Sequence, residues 1–248
     1  VIKLKNLYFR YAKNADDVLR GLNLEIEEGK LHCLLGGNGS GKSTTLKAIC
    51  EIIKPQSGKV KIADNCRAAM VPQNPQALFT EISCEEEVLE GLCYQKLEIE
   101  EKVQRTEEML KLMEIEHLRK ANPYDLSGGE QQRLALAKVM VSNPDILLLD
   151  EPTKGLDPFF KQTLGRILRR LCKENKTIFM VSHDIEFCAE FGDRCSMFFD
   201  GEIATSGSAK EFFSGNNFYT TVENKLTRKW CEGIITGEEA RTWIRSLL

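Results

Sequence analysis

The chain has 248 residues with 34 Lys plus Arg, 37 Asp plus Glu, 42% hydrophobic residues and 8% aromatics, enough to bury a large core in one or two domains and to exclude a disordered polymer. A formal charge of −3 and a pI near 5.8 lack the basic excess that gripping nucleic-acid phosphates requires, so no nucleic-acid partner is expected. Apolar runs such as residues 146–149 and 178–181 fall far short of the roughly 20 residues that cross a bilayer.

In chain order, the first 30 residues alternate apolar and polar positions, as in Leu22-Asn23-Leu24-Glu25-Ile26, which predicts an antiparallel sheet of half-exposed strands. Residues 31–35, 69–71, 146–149 and 178–181 are short runs apolar on both faces, the pattern of central parallel strands covered by helices. A helix is predicted over residues 44–53. Between Asn74 and Ser142, helical spacing of Leu89 and Leu92, of Leu110 and Met113, and of Leu134, Ala137 and Val141 predicts a helical insertion, with an acidic helix over residues 81–90. Residues 81–108 carry ten Glu against Lys96, Lys102 and Arg105, either a solvated face or a surface for a basic partner. After Asp184 the pattern predicts a short helix, a strand over 195–199, an Asp200-Gly201 turn, a return strand to Thr205, and about three short helices from Lys210 to Leu248. Nine cysteines without a C-x-x-C pair predict free thiols in a reducing cytosol, and no secretion signal opens the chain. The start at Val1 rather than Met suggests a processed product, an engineered form, or a piece cut from a longer polypeptide.

Chemistry concentrates in a few motifs. The 31–35 strand runs into Gly36-Gly37-Asn38-Gly39-Ser40-Gly41-Lys42-Ser43, which fits G-x-x-x-x-G-K-[ST]. Its glycines let successive N–H groups curl around phosphate oxygens, the following helix adds its positive end, Lys42 reaches the β- and γ-phosphates, and Ser43 offers a hydroxyl to Mg²⁺. The strand of residues 146–149 ends in Asp150 and Glu151: Asp150 would hold Mg²⁺, and Glu151 would orient or deprotonate an attacking water. Leu126-Ser127-Gly128-Gly129-Glu130-Gln131-Gln132-Arg133 opens a helix and makes a second anion-binding N-terminus. One chain already has a phosphate cradle, so a second phosphate reader implies a second chain.

With these motifs in this order, residues 1–210 resemble the ATP-binding subunit of an ATP-binding cassette (ABC) transporter. The resemblance implies a RecA-like α/β core with an N-terminal antiparallel β-subdomain and an inserted α-helical subdomain, with ATP and Mg²⁺ as ligands. It further implies that Tyr11 stacks on adenine, although a strand aromatic could stand there too. Gly36, Asn38, Gly39, Ser40, Gly41, Lys42, Ser43 and Thr44 would hold the phosphates, and Ser43, Gln73 and Asp150 the metal. Ser127, Gly128 and Gly129 form the signature sequence, Asp157 belongs to a loop crossing the dimer interface, and Glu151, His183 and Gln73 carry catalysis. Gly37 and Lys154 depart from the usual pattern without touching a catalytic group. His32 and His117 are read as structural. The Gln73-Asn74-Pro75, Leu78-Phe79-Thr80 and 151–157 segments and the tail around Phe218-Tyr219-Thr220-Thr221 are further similar to the ATPases of energy-coupling factor importers, in particular to the second half of fused forms.

The expected division is a core of residues 1–73 and 143–210, a helical subdomain of 74–142, and an extension of 211–248. The expected function is ATP hydrolysis coupled to solute import, with a second ATPase domain and a separate membrane-spanning subunit as partners, at the cytoplasmic face of the membrane. The alternative is a soluble ABC-type ATPase outside transport. A groove formed by residues 73–80 and the acidic helix, floored by Leu78 and Phe79 and charged by Glu85, Glu86, Glu87 and Glu90, is where the membrane subunit is expected to dock.

Overall fold

The computed structural model describes residues 1–215 and 220–247; Phe218 and Tyr219 lie outside them. The chain opens with strands β1 (Ile2–Phe9), β2 (Leu19–Ile26) and β3 (Leu31–Gly36), followed by helix α1 (Lys42–Ile49) and strand β4 (Ser57–Ile62). β1 and β2 pair antiparallel with Ile2, Leu4, Leu22, Leu24 and Ile26 buried, as their alternation predicts. β4 completes this sheet in the order β2-β1-β4. β4 is not among the strands expected from the sequence, although Lys59-Val60-Lys61-Ile62 carries the same alternation. α1 stops short of the expected Ile53, because Glu51 turns left-handed (φ 57°) and the Ile52 and Ile53 amides fold back onto the Lys47 carbonyl.

The second sheet contains β5 (Ala68–Val71), β6 (Ile146–Asp150), β7 (Thr177–Val181), β8 (Arg194–Phe199) and β9 (Glu202–Ser208) in the order β5-β6-β7-β3-β8-β9, parallel except for β9. Successive side chains of its central strands enter different cores. Leu35, Leu149 and Met180 pack toward α2 (Cys84–Glu90), α4 (Gly128–Met140), α5 (Pro158–Lys173) and α6 (Ile185–Phe191), while Leu34, Leu148 and Phe179 meet the antiparallel sheet and α1. Burying each such side chain contributes roughly 1.5–3 kcal/mol, which is why these runs carry no polar face.

Between β5 and β6 the described structure is helical: α2, α3 (Ile99–Leu112) and α4, with short 3₁₀ turns. α2 begins at Cys84 behind a Ser83 cap, three residues later than Glu81. After β9 come α7 (Ala209–Gly215), α8 (Val222–Thr227) and α9 (Gly237–Ser246). Among the described residues no helix is long and apolar enough to cross a membrane.

Candidate functional site

The strand order sets the carboxyl ends of β3, β7, β6 and β5 side by side, the edge at which open α/β sheets bind ligands. Those four ends carry the 36–43 loop, His183, the Asp150-Glu151 pair and Gln73, so residues far apart in sequence converge on one edge.

At the loop, Lys42 is only 6% exposed, and its Nζ donates to the Gly36 and Gly37 carbonyls at 2.9 and 2.7 Å. Burial pulls its ammonium below the usual lysine range, against the opposing pull of Glu151 and Asp150. Gly41 occupies left-handed backbone (φ 115°), and a Cβ there would stand 2.9 Å from the Val18 carbonyl, so the loop can close over α1 only with glycine at this position. Among the described residues no side chain caps α1, leaving its first amides open to an anion. Ser40 Oγ is buried without a partner among the described residues, an orphan that a phosphate oxygen would satisfy. Asn38 and Gly39 are exposed on the loop's outer turn. Ser43 Oγ donates to Asp150 at 3.1 Å. Asp150 is 2% exposed, and burial, with Glu151 beside it, raises its carboxyl. A half-buried hydroxyl and a buried carboxylate of this kind are hard oxygen donors that suit Mg²⁺. Tyr11 is 59% exposed above the loop, its ring edge-on to Phe9 and its hydroxyl 3.0 Å from Thr44 Oγ1, so a free aromatic face overlooks the phosphate cradle.

Glu151, 6% exposed, holds left-handed backbone (φ 53°), a strained conformation for a side-chain-bearing residue. One of its oxygens accepts the His183 amide at 3.2 Å and lies 2.7 Å from His183 Nδ1. The carboxylate is thus aimed from two directions while the His183 ring remains 64% exposed. Gln73 is exposed and makes no side-chain hydrogen bond among the described residues; with Gly128, Lys154 and Gly155 it lines a hollow of about 470 Å³.

The signature segment forms a different surface. Ser127 caps α4 in a reciprocal box with Glu130, whose carboxylate accepts from Ser127 N at 2.8 Å and Oγ at 2.6 Å and is held below its usual range by those bonds. Gly129 packs so closely on the next loop that a Cβ would stand 2.7 Å from the Gly155 carbonyl. Asp157 caps α5 through the Phe160 amide (3.0 Å) and accepts from Arg133 at 2.5 Å, the two bonds holding its carboxyl down. Arg133 also reaches Glu114 at 3.1 Å and lies 3.8 Å from the Phe160 ring centroid. It stood in the quoted motif without a role, yet it ties the signature helix to the 151–157 loop. A hollow of about 540 Å³ lies over Ser127, Gly128 and Gly129, with His117 and Asp157 at its rim and no residue of the 36–43 loop in its lining.

Comparison with known proteins decides the family. The ABC transporter profile matches residues 19–154. The chain belongs to the ABC transporter ATPases. It is 33% identical to the energy-coupling factor transporter ATP-binding protein of Methanocaldococcus jannaschii, covering 86% of this chain and 81% of that one. Its fold matches cbiO1 of Clostridium perfringens, described as part of an ABC transporter complex, with a TM-score of 0.77 and 31% identity over 93% and 95% of the two chains. It also matches a dimeric ATP-binding cassette bound to ADP and Pi, with a TM-score of 0.76 and 31% identity over 84% and 99%. An ABC transporter ATP-binding protein of Bacillus cereus is 41% identical over 96% of this chain, which spans only 45% of that relative's length. The cassette has the α/β fold of its family.

Two parts of the docking expectation are corrected. Phe79 is 6% exposed, wedged edge-on against Tyr124, and cannot floor an open groove. Of the four carboxylates, Glu85 is bonded to Arg119 at 3.0 Å and Lys120 at 2.9 Å, which draw its carboxyl down to about 2; Glu87 is buried; and Glu90 pairs with Lys138 at 3.0 Å. Among the described residues only Glu86 of the four has no basic partner, its carboxylate bonded to Ser83 at 2.7 Å. The sequence showed the acids but not the cations that fold onto them.

Proposed function

We propose that this cassette is one of a pair of ATPase domains that drive an importer of the energy-coupling factor type, moving a micronutrient or metal ion through separate membrane subunits from the cytoplasmic face. The observation that carries the pairing is the hollow over Ser127–Gly129, an anion-binding helix start whose lining holds none of the chain's own phosphate loop. In this reading Ser127 and Gly129 of one cassette close over ATP held by the other. The names of the relatives, energy-coupling factor ATPase and cbiO1, support the transport class.

Lys42 would exchange the Gly36 and Gly37 carbonyls for β- and γ-phosphate oxygens, a stronger charge-assisted pairing. Ser43 and Asp150 would hold Mg²⁺, with Gln73 completing the set on closure; the ion supplies neutralising charge at the phosphates. Tyr11 would stack on the base. Glu151, oriented by His183, would align the attacking water and accept its proton, and closure would move the membrane subunit. Light scattering of Glu151→Gln protein with and without Mg-ATP tests the pairing. Dimers that appear only with nucleotide are expected, whereas full hydrolysis by the unmodified protein as a monomer at every dilution would sink the shared site.

A further inference from the structure

Behind the corrected docking surface lies a buried cluster that the nucleotide site does not use. Glu87 on α2 is fully buried, and its carboxylate accepts the Thr80 amide at 2.5 Å, the Glu81 amide at 2.6 Å and Lys138 Nζ at 2.5 Å. Lys138, on α4 and 8% exposed, also donates to the Leu78 carbonyl at 2.7 Å and reaches Glu90 at 3.0 Å. Burial works against its charge, but the bonds to Glu87 and Glu90 outweigh that and hold it above the usual lysine range. The preceding turn is tied to the same helix by Gln76 Nε2 donating to Gln131 at 3.3 Å, and Tyr124 donates its hydroxyl to the Phe79 carbonyl at 3.2 Å. The run of residues 76–81 therefore takes its side-chain bonds from α2, α4 and the turn just before the signature. It lies between Gln73 and Ile82, a residue 76% exposed at the surface.

Stability alone is a poor reason for this arrangement. Desolvating an ammonium and its carboxylates costs several kcal/mol per ion, and apolar replacements of such groups are often neutral or stabilising. What the cluster supplies is fixed geometry: backbone groups of an irregular segment are locked to α4, whose other end is the signature.

We propose that Glu87 and Lys138 are positioning residues for coupling: they make residues 78–81 ride with the signature helix, so that closure at Ser127–Gly129 reaches the surface around Ile82, where a membrane subunit would feel it. This rests on the reading of the chain as a transporter cassette. Glu87→Gln with Lys138→Met removes both charges together and leaves no unpaired ion from that couple. In the full polypeptide carrying this cassette, purified with its membrane subunits into liposomes, ATP hydrolysis without the subunits should stay within about twofold of the unmodified protein. Stimulation of hydrolysis by the subunits should fall at least about tenfold. Hydrogen exchange provides a second readout: ATP should protect residues 78–83 of the unmodified protein and no longer protect them in the double variant, while protection of the 36–43 loop persists. Normal stimulation together with normal ATP-linked protection in the double variant would overturn the proposal. Absence of any ATP hydrolysis by the unmodified protein would instead overturn the transporter-cassette reading beneath it.

Discussion

The phosphate edge and the signature surface spend their polar groups in different ways. At the phosphate edge the functional groups rest on internal stand-ins: Lys42 on loop carbonyls, Ser43 on Asp150, Glu151 on His183. Each is an interaction that a nucleotide or water could replace without rebuilding the backbone. At the signature surface the side-chain bonds serve the scaffold itself, with Ser127 on Glu130 and Asp157 on Arg133, and the hollow above them is left open. The first region is arranged to bind, whereas the second is arranged to be presented.

Removing the buried carboxylate that meets His183 puts the largest strain on this contrast. Glu151→Gln should lower turnover by about 10²–10⁴-fold while nucleotide affinity holds, since the proposed function assigns the phosphates to the 36–43 loop and not to Glu151. Single-turnover kinetics beside equilibrium nucleotide binding separates the two effects, and an equal loss of both would erase the division between holding and hydrolysing. Lys42→Ala should act the other way. It deletes the buried cation that the proposed function assigns to the phosphates, and affinity should weaken by roughly 10–100-fold on the scale of one charge-assisted hydrogen bond, as read by fluorescent-nucleotide titration.

Much of the phosphate edge was legible because backbone-driven chemistry leaves a fixed spacing: glycines around a loop, a lysine and serine at the helix start, an acid at a strand end. Buried strands were legible through their unbroken apolar runs. What escaped was whatever depends on partners distant in sequence. Nothing near Glu87 announces Lys138, and nothing near Asp157 announces Arg133, because each pair meets only after the helices pack. β4 escaped because its alternating strand is largely exposed and carries too few apolar residues to stand out.

A milder test concerns the strand that carries the phosphate loop. His32, on β3, is 1% exposed, bonded through Nε2 to Ser196 at 2.7 Å, with Nδ1 buried and unpartnered. Burial, helped by Arg194, lowers its pKa from 6.5 to about 4. Between those values the unfolded chain binds a proton that the folded chain refuses. Stability from this group is therefore complete above pH 6.5 and declines as pH falls toward 4, by up to about 3 kcal/mol. Urea unfolding from pH 7 to 4 should show that slope, and His32→Leu should flatten it. An unchanged slope would place the acid sensitivity in other groups and leave β3 uninvolved.

The smallest expected effect sharpens the contrast most, because it should touch one region and spare the other. Arg133 is 15% exposed at its side chain and bridges Glu114 and Asp157, both about half exposed, while its guanidinium covers the Phe160 ring. Arg133→Met keeps an unbranched apolar stem against that ring and removes only the charge. Asp157 keeps its capping bond to the Phe160 amide, so the start of α5 should survive. The ion pairs are partly screened by water, and the stability loss should therefore be about 1 kcal/mol, seen as a lower urea midpoint at unchanged slope. Nucleotide affinity of the single cassette should not change, since Arg133 lines the signature hollow and not the phosphate loop. Nucleotide-driven pairing should weaken, because the 151–157 loop loses its tie to the signature helix; light scattering in the Glu151→Gln background measures it. If affinity for nucleotide fell while pairing held, the two regions would be coupled within one chain, and the separation argued from their hydrogen bonds would fail.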